Sequence, residues 1–333
     1  MKNSLVCILS LSLLLFLSLP SPSLSDRCNP QDKKVLLEIK ATFNFNNPYY
    51  FSSWNPNIDC CDWYGLDCDL NTSRLIALTI FGGNLSGKIP AAVGELPFLK
   101  NLMFRKLPNL NGTIPSSIAK LKNLRELRLS WTNLSGPVPT FITQLTNLYL
   151  LDLSFNYLTG SIPPSLSQLT NLLAIRLDRN KLTGEIPDTF GKFTGTVPDL
   201  YLSHNQLTGT VPKSLGDLNF TELDFSRNKL VGDISFLFGR NKTIQIVDFS
   251  RNMFEFNLSN VKFPASLTSL DLNHNMITGT PPEGLTALNF QYLNVSYNRL
   301  CGQIPVGGKL QNFDMYSYFH NRCLCGTPLP ACK

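Results

Sequence analysis

Residues Leu145–Pro163 read LTNLYLLDLSFNYLTGSIP. The apolar positions of this stretch follow L-x-x-L-x-x-L-x-L-S-x-N-x-L-x-G-x-I-P. The pattern returns every ~24 residues from Arg74 to Pro305, a period that marks a leucine-rich-repeat solenoid. The fold class is therefore an α/β repeat, a right-handed solenoid of about ten units with a concave parallel sheet. One unit cannot bury its own apolar face, so stacking supplies the core. In each unit two apolar residues flank one outward residue, and strand alternation turns the pair inward. These pairs are Leu78/Ile80, Leu102/Phe104, Leu127/Leu129, Leu151/Leu153, Ile175/Leu177, Leu200/Leu202, Leu223/Phe225, Val247/Phe249, Leu270/Leu272 and Leu293/Val295.

From the fourth repeat onward an asparagine follows each strand: Asn156, Asn180, Asn205, Asn228, Asn252, Asn275 and Asn298. A side-chain amide can satisfy backbone groups at a turn, so this column reads as structural. The glycine of L-x-G-x-I-P permits a backbone turn that a Cβ would obstruct. Three units depart from the pattern. The second carries an extra residue near Lys106, Leu107 and Pro108. The sixth has Pro198 just before its strand. The eighth replaces L-x-G-x-I-P with FEFNLSNVKFPASL, which should distort the flank and leave the strand intact.

The ends read differently. Residues 1–25 have Lys2, an apolar run from Leu5 to Leu19 and small Ser23 and Ser25, the layout of a secretory leader cleaved before Asp26. No other apolar run is long enough to span a bilayer. Of nine cysteines, Cys7 lies in the leader; four cluster at Cys28, Cys60, Cys61 and Cys68, and four at Cys301, Cys323, Cys325 and Cys332. An even number in a secreted chain points to disulfides, here stapling two caps, residues 26–73 and 306–333, over the repeats at 74–305. Zinc is the competing reading for Cys323, Cys325 and His320, and the compartment argues against it. In the first cap Asp32 is placed as a helix N-cap ahead of Val35, Leu36 and Ile39, and Trp54 and Trp63 close the first coil. The last residues, CLCGTPLPACK, read as loop.

Seven Asn-x-Ser/Thr sequons, at Asn71, Asn84, Asn111, Asn133, Asn219, Asn241 and Asn257, fall in the cap, turns or flanks and are expected to carry glycans. An eighth, Asn294, takes an outward strand position, where a glycan would stand over the sheet; either it stays mostly bare or the tenth strand lies outside the contact. The formal net charge of +6 suits an acidic surface or polysaccharide. No nucleic acid, metal or cofactor is called for. Motifs of the G-x-S-x-G, H-E-x-x-H and P-loop types are missing, and only His204, His274 and His320 occur. His274 after Asp271, or the carboxylates Asp224 and Asp248, could in principle catalyse, but an open arc excludes water poorly, so no enzyme is expected.

The L-x-G-x-I-P form, ten repeats, a first cap with CNPQDKKVLLEIK and CC-x6-C, and the ending CLCGTPLPAC together resemble the polygalacturonase-inhibiting proteins of plant cell walls. The resemblance covers essentially the whole chain. It implies a second short sheet beside the concave one. It implies disulfides Cys28–Cys60, Cys61–Cys68, Cys301–Cys323 and Cys325–Cys332. It implies inhibition of fungal endopolygalacturonases, association with cell-wall pectin (homogalacturonan) and an extracellular location in the plant cell wall. It places contact residues at Leu173, Asp199, Gln245 and Gln291, and acidic contact positions at Asp152, Asp178 and Asp224.

The residues themselves point to the same strip. Ten strands ~4.8 Å apart and ~17 Å long give roughly 750 Å², close to the usual share of one partner in a protein–protein interface. The early outward residues are basic, with Lys100, Arg105, Lys106, Arg125 and Arg128 against Glu126. Later ones are acidic, including Asp248 and Asp271. Trp131, Phe155, Tyr201, Tyr292 and Tyr297 add aromatic anchors, and His274 a polar contact. A basic edge of Arg179, Lys181, Arg227, Lys229, Arg251 and Arg299 suits a polyuronate, whose carboxylates also recur regularly. The alternative reading is a soluble receptor-like protein that binds a peptide or co-receptor on the same strip; a remoter one is ice binding.

Overall fold

The computed structural model describes residues 27–43 and 48–333; the leader over residues 1–25 lies outside the described residues. Ten parallel strands stack in chain order into one long sheet, from Leu75–Phe81 to Tyr292–Asn294. The inward residues stay in register across it: Leu151, Ile175, Leu200, Leu223, Val247, Leu270 and Leu293 are successive partners. Every inward residue foreseen from the alternation is buried, none above 4 % exposed. No helix among the described residues is long and apolar enough to cross a membrane.

A second, shorter sheet runs along the flank. Ser135–Pro137 pairs with Tyr157–Gly160, which pairs with Lys181–Gly184 and then Gln206–Leu207. The glycines here sit at φ near 76–82°, as at Gly136, Gly160 and Gly184, a left-handed backbone that favours glycine. The opposite side is built of 3₁₀ turns, five residues long where a proline precedes them, as in Thr140–Gln144 after Pro139. The eighth repeat keeps its strand, Ile246–Asp248, and its 3₁₀ turn shrinks to Leu258–Asn260. The seventh shrinks as well, to Ser235–Leu237; there Ser235 stands in the position that proline holds in the L-x-G-x-I-P units. The second and third repeats run on as twelve-residue strands, Asn101–Gly112 and Glu126–Pro137, with the register shift between Leu107 and Asn111 where the extra residue falls.

The asparagine column is a hydrogen-bonded ladder. Asn180 Nδ2 donates to Leu153 O (3.0 Å) in the preceding repeat and to Leu177 O (3.0 Å) in its own. Its Oδ1 accepts from Leu158 N at 2.9 Å. Asn205 and Asn252 repeat this pattern. The residue before each asparagine is left-handed without being glycine: Phe155, Arg179, His204, Arg227, Arg251, His274 and Tyr297 all lie at φ 52–55°. The ladder continues one repeat length past Asn298. Asn321 donates to Val295 O (3.0 Å) and accepts from Leu300 N (3.0 Å), with His320 at φ 56° before it. The last cap is thus a degenerate repeat, and Cys323–Cys325, expected as loop, is a strand paired with Cys301–Gln303.

The first cap corrects one expectation. The helix Pro30–Thr42 is capped by Asn29, whose side chain accepts from the N–H groups of Gln31 and Asp32. Asp32 lies inside the helix, 1 % exposed. Its carboxylate takes Arg74 Nη2 at 2.8 Å, Arg74 Nε at 2.9 Å and Leu75 N at 2.9 Å, and so bolts the helix to the first strand. Val35, Leu36 and Ile39 are buried, and Trp54 stacks on Trp63 with ring centres 5.4 Å apart. The cysteines pair as Cys28–Cys60, Cys61–Cys68, Cys301–Cys323 and Cys325–Cys332.

Because Asp32 is buried against Arg74, removing it strands a guanidinium and a buried N–H. Asp32→Ala should lower the unfolding free energy by about 3–5 kcal/mol, read from denaturant midpoints. A loss under about 1 kcal/mol would mean that the cap does not unfold with the repeats.

Candidate functional site

Strand register sorts the outward residues into three parallel columns. The first lies between the inward pairs: Arg128, Asp152, Arg176, Tyr201, Asp224, Asp248, Asp271 and Asn294. The second, two residues on, is hydroxylic, with Ser130, Ser154, Ser203, Ser226, Ser250 and Ser296, broken by Asp178 and Asn273. The third is the left-handed column, which projects from the edge of the sheet: Trp131, Phe155, Arg179, His204, Arg227, Arg251, His274, Tyr297 and His320. Between them runs a trough of about 540 Å³, bordered by Arg179, Arg227 and Arg251 and floored by Arg176, Asp178, Asp224, Asp248 and Asp271.

The acidic residues do not simply project into solvent, as alternation suggested. Asp152 is 7 % exposed and accepts from Ser130 Oγ (3.0 Å), Ser154 N (3.1 Å) and Ser154 Oγ (2.6 Å). Asp224 accepts from Ser226 N and Oγ at 3.1 and 2.7 Å. Asp271 is held by Asn273 N (3.0 Å) and Tyr292 Oη (3.0 Å). The hydroxyl column therefore organises the carboxylate column. Charge reversal at Asp152 would break this floor as well as any interface, so a neutral isostere is the sounder probe.

Asp178 is the exception. It stands in the serine column, out of line with Asp152 and Asp224, is 8 % exposed, and its Oδ1 has no hydrogen-bond partner. Burial pushes its carboxyl up to about 6; Arg176 opposes the rise, and Asp152 and Asp224 add to it. Burial likewise raises Asp271 to about 6, with the Asn273 N–H opposing and Asp248 adding, and raises Asp248.

Of the contact positions implied by the resemblance, Leu173 (54 % exposed), Gln245 and Gln291 occupy one exposed row. Asp199 does not join it. It pairs with Ala174, one place along, and its Oδ1 accepts from Thr221 N (3.0 Å) and Glu222 N (2.8 Å). Trp131 stacks on Phe155 at 3.6 Å, Arg179 lies 4.9 Å from the Phe155 ring centre, and His274 stacks on Tyr297 at 4.1 Å. His274 Nδ1 meets Asn273 Oδ1 at 2.7 Å, so it is not paired with Asp271. The basic edge divides in two. Arg179, Arg227 and Arg251 border the trough, whereas Lys181, Lys229 and Arg299 lie beyond the asparagine ladder, on the flank. Lys181 sits over the Tyr157 ring at 4.7 Å, and Arg299 lies 3.8 Å from Glu255.

The cysteines proposed for zinc are in disulfides and His320 packs on Tyr297 at 4.4 Å, so that ligand set is not assembled. Seven sequon asparagines are exposed, while Asn294 is half-buried and takes the floor position, its Oδ1 accepting from Ser296 N (3.0 Å) and Oγ (2.7 Å). The sequence reading passed over Arg176. Its signal was its place between Ile175 and Leu177, the slot that Asp152 fills one repeat earlier.

Comparison with known proteins adds to this geometry. Residues 29–69 match the leucine rich repeat N-terminal domain model, 102–230 the LRR domain model of EGF-like domain-containing protein ComC, and 266–288 the Leucine Rich Repeat model. The chain is 68 % identical over 320 residues to a polygalacturonase inhibitor of Pyrus communis, covering 96 % of each chain. It is 65 % identical to that of Vitis vinifera over the full length of both. Among solved structures, a plant ice-binding protein superposes with a TM-score of 0.90 at 56 % identity, over 92 % of this chain and 99 % of that one.

Asp178 yields a stability test. Its carboxyl value is raised on folding, so ionisation weakens the fold at pH 7, and protonation relieves this as pH falls through about 6. Asp178→Asn should raise the unfolding free energy by about 2 kcal/mol at pH 7 and by under about 1 at pH 4.5. Denaturant midpoints at the two pH values measure this; an equal change at both would show that the buried charge is not its source.

Proposed function

The chain belongs to the polygalacturonase-inhibitor family of leucine-rich-repeat proteins, and from that premise we propose that it is a secreted inhibitor of fungal endopolygalacturonases. It would bind the enzyme through the solvent face of the long sheet and limit pectin degradation in plant defence. It acts as a binder and catalyses nothing. The observation that carries this is the trough with its carboxylate floor. An enzyme that cleaves a polyanion needs a cationic cleft, and Asp224, Asp248 and Asp271 offer successive carboxylates to such a cleft. The aromatic edge supplies side chains of the type enriched at binding hot spots. The exposed sequons lie off this strip, which leaves it open to a protein surface.

A second contact, with homogalacturonan in the cell wall, is proposed for Arg179, Arg227 and Arg251. Their guanidinium groups recur with the repeat and have no carboxylate within ion-pair distance among the described residues. The peptide-receptor reading asks the same trough to hold one extended chain, and the high identity to inhibitors over the whole length favours the inhibitor.

Titration of the purified protein against a panel of fungal endopolygalacturonases, with release of reducing ends as readout, should give saturable inhibition of at least one. Activity unchanged across the panel, with no complex formed, would remove the reading. Replacing Arg179, Arg227 and Arg251 together with Gln should weaken retention on de-esterified pectin. Added salt should weaken the native protein in the same direction. Retention indifferent to both would remove the polyuronate contact.

A further inference from the structure

We propose that Arg176 is the anchor by which this face grips a carboxylate in the substrate cleft of its partner enzyme. The inference rests on the inhibitor reading and goes one step further, to the residue and the group it meets.

Register sets Arg176 level with Asp152 on one side and with Tyr201 on the other, followed by the run Asp224, Asp248, Asp271. It is the one cation of the floor column beyond Asp152. Its guanidinium lies 4.3 Å from the centre of the Tyr201 ring, and Tyr201 Oη donates to Glu222 Oε2 at 2.7 Å. The ring is thus fixed at its far end and holds the guanidinium against its face. Stacking of this kind occupies the plane and leaves the in-plane N–H donors open. Those donors are uncommitted: among the described residues Arg176 makes no ion pair, although Asp152 and Asp178 lie nearby. Asp152 is already taken up by Ser130 and Ser154. A pre-oriented, exposed guanidinium with free donors matches a carboxylate bidentately.

The partner's chemistry supplies that carboxylate. A glycoside hydrolase carries carboxyl groups at the bond it cleaves, and one acting on a polyuronate flanks them with cationic subsites. The acidic run of repeats seven to nine suits those subsites, and Arg176 in repeat five suits the carboxyl groups. This fixes the direction in which the enzyme lies along the trough.

The test uses the whole protein and a susceptible endopolygalacturonase, with Kd measured by calorimetry and inhibition in parallel. Arg176→Gln should weaken binding by ~30-fold or more, the size of a hot spot. Arg176→Lys should recover little of this, because an ammonium lacks the planar fork that binds a carboxylate bidentately. Tyr201→Phe should weaken binding by a smaller factor, by freeing the ring that orients the guanidinium. Because the Arg176 charge also offsets the burial of Asp178, the unfolding midpoint is measured alongside and should fall only slightly, with the variant still fully folded at the binding temperature. The same comparison against an enzyme whose cleft carboxylates are converted to carboxamides should shrink the Arg176→Gln effect to ~3-fold or less, by the logic of a double-mutant cycle. Native-like binding by Arg176→Gln, or the same loss against both enzyme forms, overturns the proposal while leaving the inhibitor reading in place. Failure of the native protein to bind any endopolygalacturonase overturns both.

Discussion

Each asparagine of the ladder solves a problem that the repeat creates for itself. The chain must leave the long sheet and turn toward the flank while buried, where unpaired backbone groups are costly. One amide serves both repeats: Nδ2 donates to carbonyls of its own coil and of the one before, and Oδ1 takes an N–H of the preceding coil. The turn forces the residue ahead of it into a left-handed backbone, a conformation that costs about 1–2 kcal/mol for an L-residue. Several hydrogen bonds, each worth about 0.5–1.5 kcal/mol net, offset that cost in each repeat that carries the asparagine.

That strained residue is also where function is displayed. Because the backbone is left-handed there, its side chain leaves the plane of the strand and stands at the rim of the trough. Trp131, Phe155, Arg179, Arg227 and Arg251 owe their position to the same constraint. The side chain takes no part in the ladder, so its identity is free to vary while the turn persists. The floor behaves differently. Its carboxylates are tied to serines two residues on, so their geometry is part of the fold, and Asp178, which replaces a serine, is left partly unpaired.

The departures from the repeat follow from the same economy of hydrogen bonds. In the third repeat Thr132 stands where asparagine stands later, and it bonds to the next asparagine, Asn156. In the second, Leu107 fills the slot, and the strand runs on with a register shift. Where Ser235 replaces the proline of the repeat, the 3₁₀ turn shortens to three residues. At the far end Asn321 carries the ladder into the cap, and the disulfide Cys301–Cys323 ties that coil to the last full repeat.

The sequence by itself determined the architecture, because a solenoid's contacts are between neighbours one period apart. The inward pairs, the asparagine column, the two cysteine caps and the family could be read from spacing and motif. Contacts that cross between columns or coils could not. Asp32 was read as a cap because it opens a helical pattern, and only folding brought Arg74 to it. The family resemblance groups Asp178 with Asp152 and Asp224; register sets it in the serine column instead. Asn321 lay hidden because its coil lacks the usual leucines. The outward slot of Arg176 is legible between Ile175 and Leu177, but its stacking on Tyr201 is not, since an interaction between adjacent strands depends on register, and register is settled by the packed sheet as a whole.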